Sequence, residues 1–297
     1  MEVAPAHIDT HPLHREINLT FGSLLLCIGA VVPSRCDQTT VVSLRVLRCS
    51  YALEGGIRPF EGTVSRRPVD WKNQEMFHIQ GDVTEETEIQ KAFEQVFAAE
   101  GRLDVLVICA GFGISGAVEF TTLEEAKKQM EVNFFGAFLA LKYGGKMMRT
   151  QGFGRIIAVG SVAGEIAIPF QAFYSASKAA LAKLLEAYSG ELAPYHVECV
   201  LVMPGDVQTE FTKFREKSPE GDKEYEGRIS RSVSKMEQDE IKGMPSKKVG
   251  QFIAKKAIQK YVRPVYGVHK GYGFLLMLYR ILPRKWSLYL IERLYGN

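Results

Sequence analysis

The sequence predicts an α/β fold, a doubly wound parallel sheet in one domain with helices on both faces. Three observations predict it. From residue 76 onward, short apolar runs alternate with segments of helical period. One run, 103–109 (LDVLVIC), is apolar almost throughout, as a parallel strand covered on both faces must be. The helical segments between the runs are long enough to cross back over a sheet, which implies parallel neighbours and right-handed crossovers. A chain of 297 residues with 46% hydrophobic content is also long enough to bury a sizeable core.

Taken in order, residues 76–80 read as a short strand ending at Gly81-Asp82. Residues 85–100 read as a helix with Thr84 as N-cap, and 103–109 as the next strand. Residues 123–148 read as one long helix, with Thr122 as cap and Glu124 and Glu125 in the first turn. A strand at 155–159, a helix at 174–192 and a strand at 197–202, closed by Pro204-Gly205, complete the alternation. Residues 213–247 are charged and poor in large apolar side chains, and read as a helical excursion or substrate-side flap. An amphipathic helix follows at 248–262. The expected boundaries are an atypical segment 1–63, the main domain 64–262 and an apolar, aromatic tail 263–297. That tail reads as a pocket wall, an oligomer contact or a membrane-leaning cap.

Charge and composition exclude some functions. With 37 basic and 34 acidic residues, nothing favours nucleic acid as a partner. The five cysteines are scattered, with no CxxC and no zinc spacing, so the expectation is a reduced, cytoplasmic protein with no metal site. No apolar run reaches the roughly 18–20 residues of a membrane span. The run 19–32 imitates a signal-peptide core, but Asp9 and Glu16 stand upstream and no A-x-A site follows. It reads as a buried strand.

The chemistry concentrates in Tyr174-Ser175-Ala176-Ser177-Lys178, with Ser161 upstream. A Tyr and a Lys four apart share one helix face. An ammonium near a phenol stabilises the phenolate and lowers a pKa that starts at about 10. A hydroxyl from another segment holds a substrate oxygen against the phenol, giving a proton-transfer device for carbonyl–alcohol interconversion. By itself, YxxxK also suits an ordinary amphipathic helix.

The neighbouring motifs change that balance. Asp82-Val83, Ala110-Gly111 after a strand, Asn133 in EVNFFGAF, Ser161 in GSVAG, Tyr174 with Lys178, and the run from Pro204 to Thr209 (PGDVQT) stand in one order across region 76–212. That region resembles the short-chain dehydrogenase/reductase family, whose fold is Rossmann-like. The flap, following helix and tail are similar to lipid-active members, the 17β-hydroxysteroid dehydrogenase-like enzymes and acyl-dihydroxyacetone-phosphate reductases. The resemblance implies an NADP(H)- or NAD(H)-dependent oxidoreductase acting on a lipophilic carbonyl or secondary alcohol, commonly as a homo-oligomer. It implies Tyr174 as general acid or base, Lys178 as pKa-lowering group and ribose ligand, and Ser161 as donor to the substrate oxygen. Asn133 would kink its helix and bind a relay water. Asp82 and Val83 would contact the adenine, and Ala110 and Gly111 would pass beneath its ribose. Pro204, Gly205, Val207 and Thr209 would hold the carboxamide end.

Two departures stand out. Gly111–Gly116 spells GxGxxG, yet it follows the fourth strand of the family pattern rather than the first, so its glycines serve close backbone approach rather than a pyrophosphate cradle. The family's NNAG reads Ile108-Cys109-Ala110-Gly111, without either asparagine. More seriously, the TGxxxGIG loop expected roughly 50 residues before Asp82 is not recognisable. Gly29 suits its first glycine, but Pro33 and Arg35 stand where the later ones belong. Residues 33–62 also lack the amphipathic helix that should follow. Family-like text resumes at Val64, where Arg66 and Arg67 replace an acid and suit a 2′-phosphate, favouring NADP(H) with NAD(H) second. A divergent front end, a splice or start variant, and a shifted reading frame all fit these residues. The rival reading is a catalytically idle binding or scaffold protein whose cofactor loop is lost.

Overall fold

The computed structural model describes residues 42–45, 61–65 and 76–296. Seven strands form the main sheet: β1 (Val42–Arg45), β2 (Glu61–Ser65), β3 (Met76–Gln80), β4 (Val105–Ile108), β5 (Gly154–Val159), β6 (Val197–Met203) and β7 (Val265–Gly267). Their spatial order is β7-β6-β5-β4-β1-β2-β3. Most pairings are parallel, as expected. β1 is the exception and runs antiparallel to both neighbours, with Val42 opposite Ile108 of β4 and Val64 of β2. The segment 1–63 therefore contributes a central strand to the sheet, in the reversed sense.

Among the described residues, eight α-helices of at least eight residues connect or cover these strands. They are α1 (Glu86–Glu100), α2 (Leu123–Met130), α3 (Gly136–Gln151), α4 (Ala172–Leu192), α5 (Arg228–Ile241), α6 (Ser246–Ile258), α7 (Lys270–Ile281) and α8 (Arg284–Ile291). Side-chain alternation along β4 explains why its sequence run is apolar throughout. Leu106 and Ile108 face a core shared with α1, α3 and α4, whereas Val105 and Val107 face a second core shared with α6. Removing the Leu106 side chain to Ala would cost about 2–5 kcal/mol, because neither face can collapse around it. Arg155 on β5 is buried and ties the layers together. Its guanidinium bonds Glu198 on β6 and donates to the carbonyls of Lys256, Ala257 and Gln259 at the end of α6.

Several sequence expectations change. Thr84 does not cap α1. The N-cap is Glu85, without a side-chain bond, and Thr84 instead bonds the Asp82 carboxylate through its N–H (2.9 Å) and hydroxyl (2.8 Å). The turn thus captures the hydroxyl that the helix would have used. Thr122 does cap α2, in a reciprocal capping box with Glu125. The single helix expected over 123–148 is divided by a π turn at Glu131–Phe135, which lies between α2 and α3. The charged flap contains α5, whose Ile229, Val233 and Met236 pack with Ala117 and Phe170 in a small third core.

Candidate active site

The C-terminal ends of β4, β5 and β6 open onto a cavity of about 280 Å³, the place where open α/β sheets hold ligands. Ser161 follows β5 and caps a short 3₁₀ turn, its Oγ accepting from the Ala163 N–H at 3.1 Å. Tyr174 and Lys178 stand one turn apart near the start of α4. Pro204, Gly205, Val207 and Thr209 follow β6 and line the same cavity, as does Gly111 after β4. The structure therefore brings together the residues that the sequence places in Ser161, YxxxK and PGDVQT.

Tyr174 is hydrogen-bonded with Ser161 and packs on the Phe211 ring, the centroids 5.4 Å apart. Burial pushes its phenol up to about 12; the Ser161 bond opposes this, Glu240 adds to it and Arg215 opposes it. Lys178 is not among the groups that shift Tyr174 in this arrangement, its ammonium being bonded to the Val159 carbonyl. The Lys178 ammonium lies 6.0 Å from the Tyr174 ring centroid and donates to the Val159 carbonyl at 3.0 Å. Burial also lowers Lys178 to about 8, with Cys109 a smaller opposing influence.

Asn133 lies in the π turn and is fully buried. Its Oδ1 accepts from the Phe112 N–H, while its Nδ2 donates to the Phe112 carbonyl and to Ser177 Oγ, all at 3.0 Å. Gly111 passes so close that an added Cβ would stand 3.1 Å from Lys178 Nζ and 3.2 Å from Asn133 Oδ1. This is the close approach expected of that glycine. Gln129, one turn before Asn133, was not foreseen. It is fully buried and bonds both the Phe112 carbonyl and the Ile114 N–H at 2.8 Å. Its signal was the Gln129/Asn133 spacing of four, which puts two amides on one face against the glycine-rich segment.

The adenine side is less developed. Asp82 is half-buried in the turn with Thr84, and Val83 is fully enclosed in the core, so it presents no surface to a ligand here. Ala110 is likewise buried. Gly29, Arg66 and Arg67 lie outside the described residues.

Two further constellations were missed. Arg215, fully buried, pairs with Glu240, which lines the cavity and also accepts from Thr212 Oγ1 at 2.6 Å. From the tail, Tyr272 donates to Asp206 Oδ2 at 2.6 Å and accepts from the Asp206 N–H at 3.0 Å. Burial, reinforced by the Asp206 carboxylate, pushes the Tyr272 phenol up to about 12. Its ring lies against Gly205, where any Cβ would fall 2.0 Å from the ring. These contacts join residues 25 and 66 positions apart and leave no local pattern to read.

The sequence pattern of the short chain dehydrogenase family matches residues 64–220. A 3-ketodihydrosphingosine reductase of Bacteroides thetaiotaomicron is 39% identical over 181 residues, covering 60% of this chain and 67% of that protein. A probable short-chain type dehydrogenase/reductase of Helicobacter pylori is 31% identical over 206 residues, 69% of this chain and 76% of the relative. Among solved structures, a short-chain dehydrogenase from Streptomyces avermitilis superposes with a TM-score of 0.60 at 25% identity, covering 69% of this chain and 75% of that one. One from Burkholderia cenocepacia in complex with NADP gives 0.61 at 18% identity, covering 76% and 84%, a likeness of fold. The chain belongs to the short chain dehydrogenase family, and is an NAD(P)-dependent oxidoreductase acting on CH–OH or C=O groups.

Proposed function

From this membership we propose that the protein interconverts a carbonyl and a secondary alcohol on a lipophilic substrate of steroid, retinoid or acyl-lipid type, with NADP(H) preferred over NAD(H). The observation that carries the reading is the convergence of Ser161, Tyr174 and Lys178 on a cavity otherwise walled by side chains such as Ile166, Phe211, Met236 and Leu275. Such walls suit a hydrocarbon body, and the few polar groups suit one reacting oxygen. The relative named as a 3-ketodihydrosphingosine reductase supports a keto-lipid.

The residues at the nicotinamide end fit a dinucleotide. The buried Lys178 ammonium carries three donors and spends one on Val159, so the cavity side retains donors for ribose hydroxyls. Val207 and Thr209 stand at the cavity edge for the carboxamide, beside Pro204 and Gly205. Arg66 and Arg67 carry the preference for a 2′-phosphate. The bound nicotinamide supplies the hydride in reduction and takes it in oxidation.

The chain's own part is proton handling. As negative charge develops on the substrate oxygen, the Ser161 hydroxyl donates to it and Tyr174 passes its phenolic proton to the same atom. A phenol held up to about 12 keeps that proton throughout the neutral range, so the structure is poised as an acid. Lys178, protonated below about pH 8, stabilises the phenolate left behind. The π turn at Asn133 takes backbone carbonyls off the regular helical ladder and suits a water that returns the proton. Exposed Phe135 and Phe138 beside this turn support a homo-oligomer built on the long helices. The reading keeps the protein in the cytoplasm, at a membrane where its tail touches one.

The test is NADPH and NADH oxidation by the full chain with a long-chain and a short-chain ketone. Turnover should favour NADPH and the long chain, each by on the order of tenfold. Equal turnover of both ketones would overturn the lipophilic reading, and faster turnover with NADH the cofactor preference.

A further inference from the structure

The tail combines two opposed faces. Its inner face belongs to the active site: Leu276 joins the main core, Tyr272 bonds Asp206, and Leu275, Ile291, Leu294 and Tyr295 line the cavity. Its outer face is apolar and exposed. Nine of the eighteen large hydrophobic side chains exposed among the described residues fall between Phe274 and Leu294. On α7, Phe274 (61% exposed), Met277 (51%) and Ile281 (72%) share one face at helical spacing, and Trp286 (61%) is exposed on α8, the next helix. Isolated exposed apolar residues are ordinary, but nine of them within two consecutive helices and the turn after them mark a surface that meets something.

Charge tells what it meets. Residues 270–297 carry five cationic side chains and one acidic one, an excess larger than the net +3 of the whole chain. Arg284 and Lys285 are exposed on α8 and Arg293 in the turn after it, and Arg280 is fixed by two bonds to Glu165, at 2.9 and 3.0 Å. Apolar side chains flanked by cations are what an anionic lipid surface binds, the former entering the acyl boundary and the latter pairing with headgroups. No helix among the described residues is long and apolar enough to cross a bilayer.

We propose that α7 and α8 form an in-plane docking surface for an anionic lipid bilayer, and that this surface places the active-site cavity at the membrane so that lipophilic substrates enter from the lipid phase. The second clause rests on the lipophilic reading above, and the first stands without it. The same two helices wall the cavity and face the lipid, so a substrate leaving the acyl layer meets Leu275 and Leu294, which are both cavity-lining and exposed. Delivery then needs no passage through water.

The experiment sediments the full chain with vesicles of phosphatidylcholine alone or mixed with phosphatidylserine. Mixed vesicles should bind the protein, with salt weakening the binding, and Trp286 fluorescence should shift to the blue. The variant Phe274→Ser/Met277→Ser/Ile281→Ser should lose vesicle binding by on the order of tenfold or more, and Arg284→Glu/Lys285→Glu should lose the preference for phosphatidylserine. Neither variant touches a cavity-lining residue, so reduction of a short, water-soluble ketone should stay within about twofold of the parent, while that of a vesicle-embedded long-chain ketone should fall. Parental vesicle binding by the triple variant would overturn the docking surface. So would a parent dimer that the variant converts to monomers with no vesicle binding by either, since this surface would then be a subunit contact. Intact docking with equal loss on both ketones would overturn the delivery step alone.

Discussion

From β4 to β7 every pairing is parallel and the catalytic groups leave the C-terminal strand ends, whereas β1, between β4 and β2, runs antiparallel to both. The difference has a direct consequence for the cofactor. In a parallel sheet, the loop after the first strand emerges at the crevice and can cradle a pyrophosphate at a helix N-terminus. Here Arg45, the last residue of β1, pairs with Val105 at the start of β4, while Val42 pairs with Ile108 at the catalytic end. β1 therefore ends on the side of the sheet away from the cavity. Gly29 precedes this strand instead of following it. The proton-transfer groups rest on the parallel strands β4, β5 and β6, not on the reversed β1.

That contrast can be broken most sharply at Tyr174. Replacing it with Phe should lower kcat on the order of 10²-fold or more while NADPH affinity stays within about twofold, because the phenol acts in chemistry. An equal loss in affinity would make the phenol a cofactor-binding group as well.

Lys178 gives the next largest effect. Its folded pKa of about 8 lies below the ordinary 10.5. Below pH 8 folded and unfolded chains both hold the proton, and the folded chain bears the full cost of a buried charge. Between about 8 and 10.5 the folded chain releases its proton first, so stability rises with pH across that window. Lys178→Met should then stabilise the fold on the order of 2 kcal/mol at pH 7, with the gain shrinking towards pH 10. Denaturant melts at both pH values check it, and a gain independent of pH would refute the burial argument.

The front half should respond to repair. If residues from about 20 to 63 come from a shifted frame, another frame of the source DNA holds a TGxxxGIG-like loop, and restoring it should tighten NADPH binding by about tenfold and raise Tm. Absence of that pattern, together with micromolar NADPH binding by the present chain, would identify a divergent front end. The smallest effect belongs to Arg66→Asp/Arg67→Asp, which should shift the NADPH/NADH affinity ratio severalfold toward NADH. Tighter NADH binding by the parent would remove these arginines from cofactor choice.

How far each feature could be read in the sequence follows the range of the interaction that makes it. Tyr174 and Lys178 meet through one helical turn, and β4 is buried on both faces, so spacing and hydrophobic pattern reveal both. The kink at Asn133 is expected from the family resemblance alone, because helical period continues on either side of the π turn and carries no trace of it. The sense of β1 escapes because four alternating residues carry no direction. Arg215–Glu240 and Tyr272–Asp206 are long-range pairs with no periodic trace. The upward shift of the Tyr174 phenol has no sequence signature, because it comes from burial by residues of several elements.

The most direct test of the account is the stoichiometry of NADPH consumed and alcohol formed when the full chain meets a long-chain ketone, run beside Tyr174→Phe. One alcohol per NADPH in the parent, with that turnover lost in the variant, is the predicted result. Saturable ketone binding by both proteins, with no NADPH consumed by either, would contradict it and leave a binding protein with an idle catalytic half.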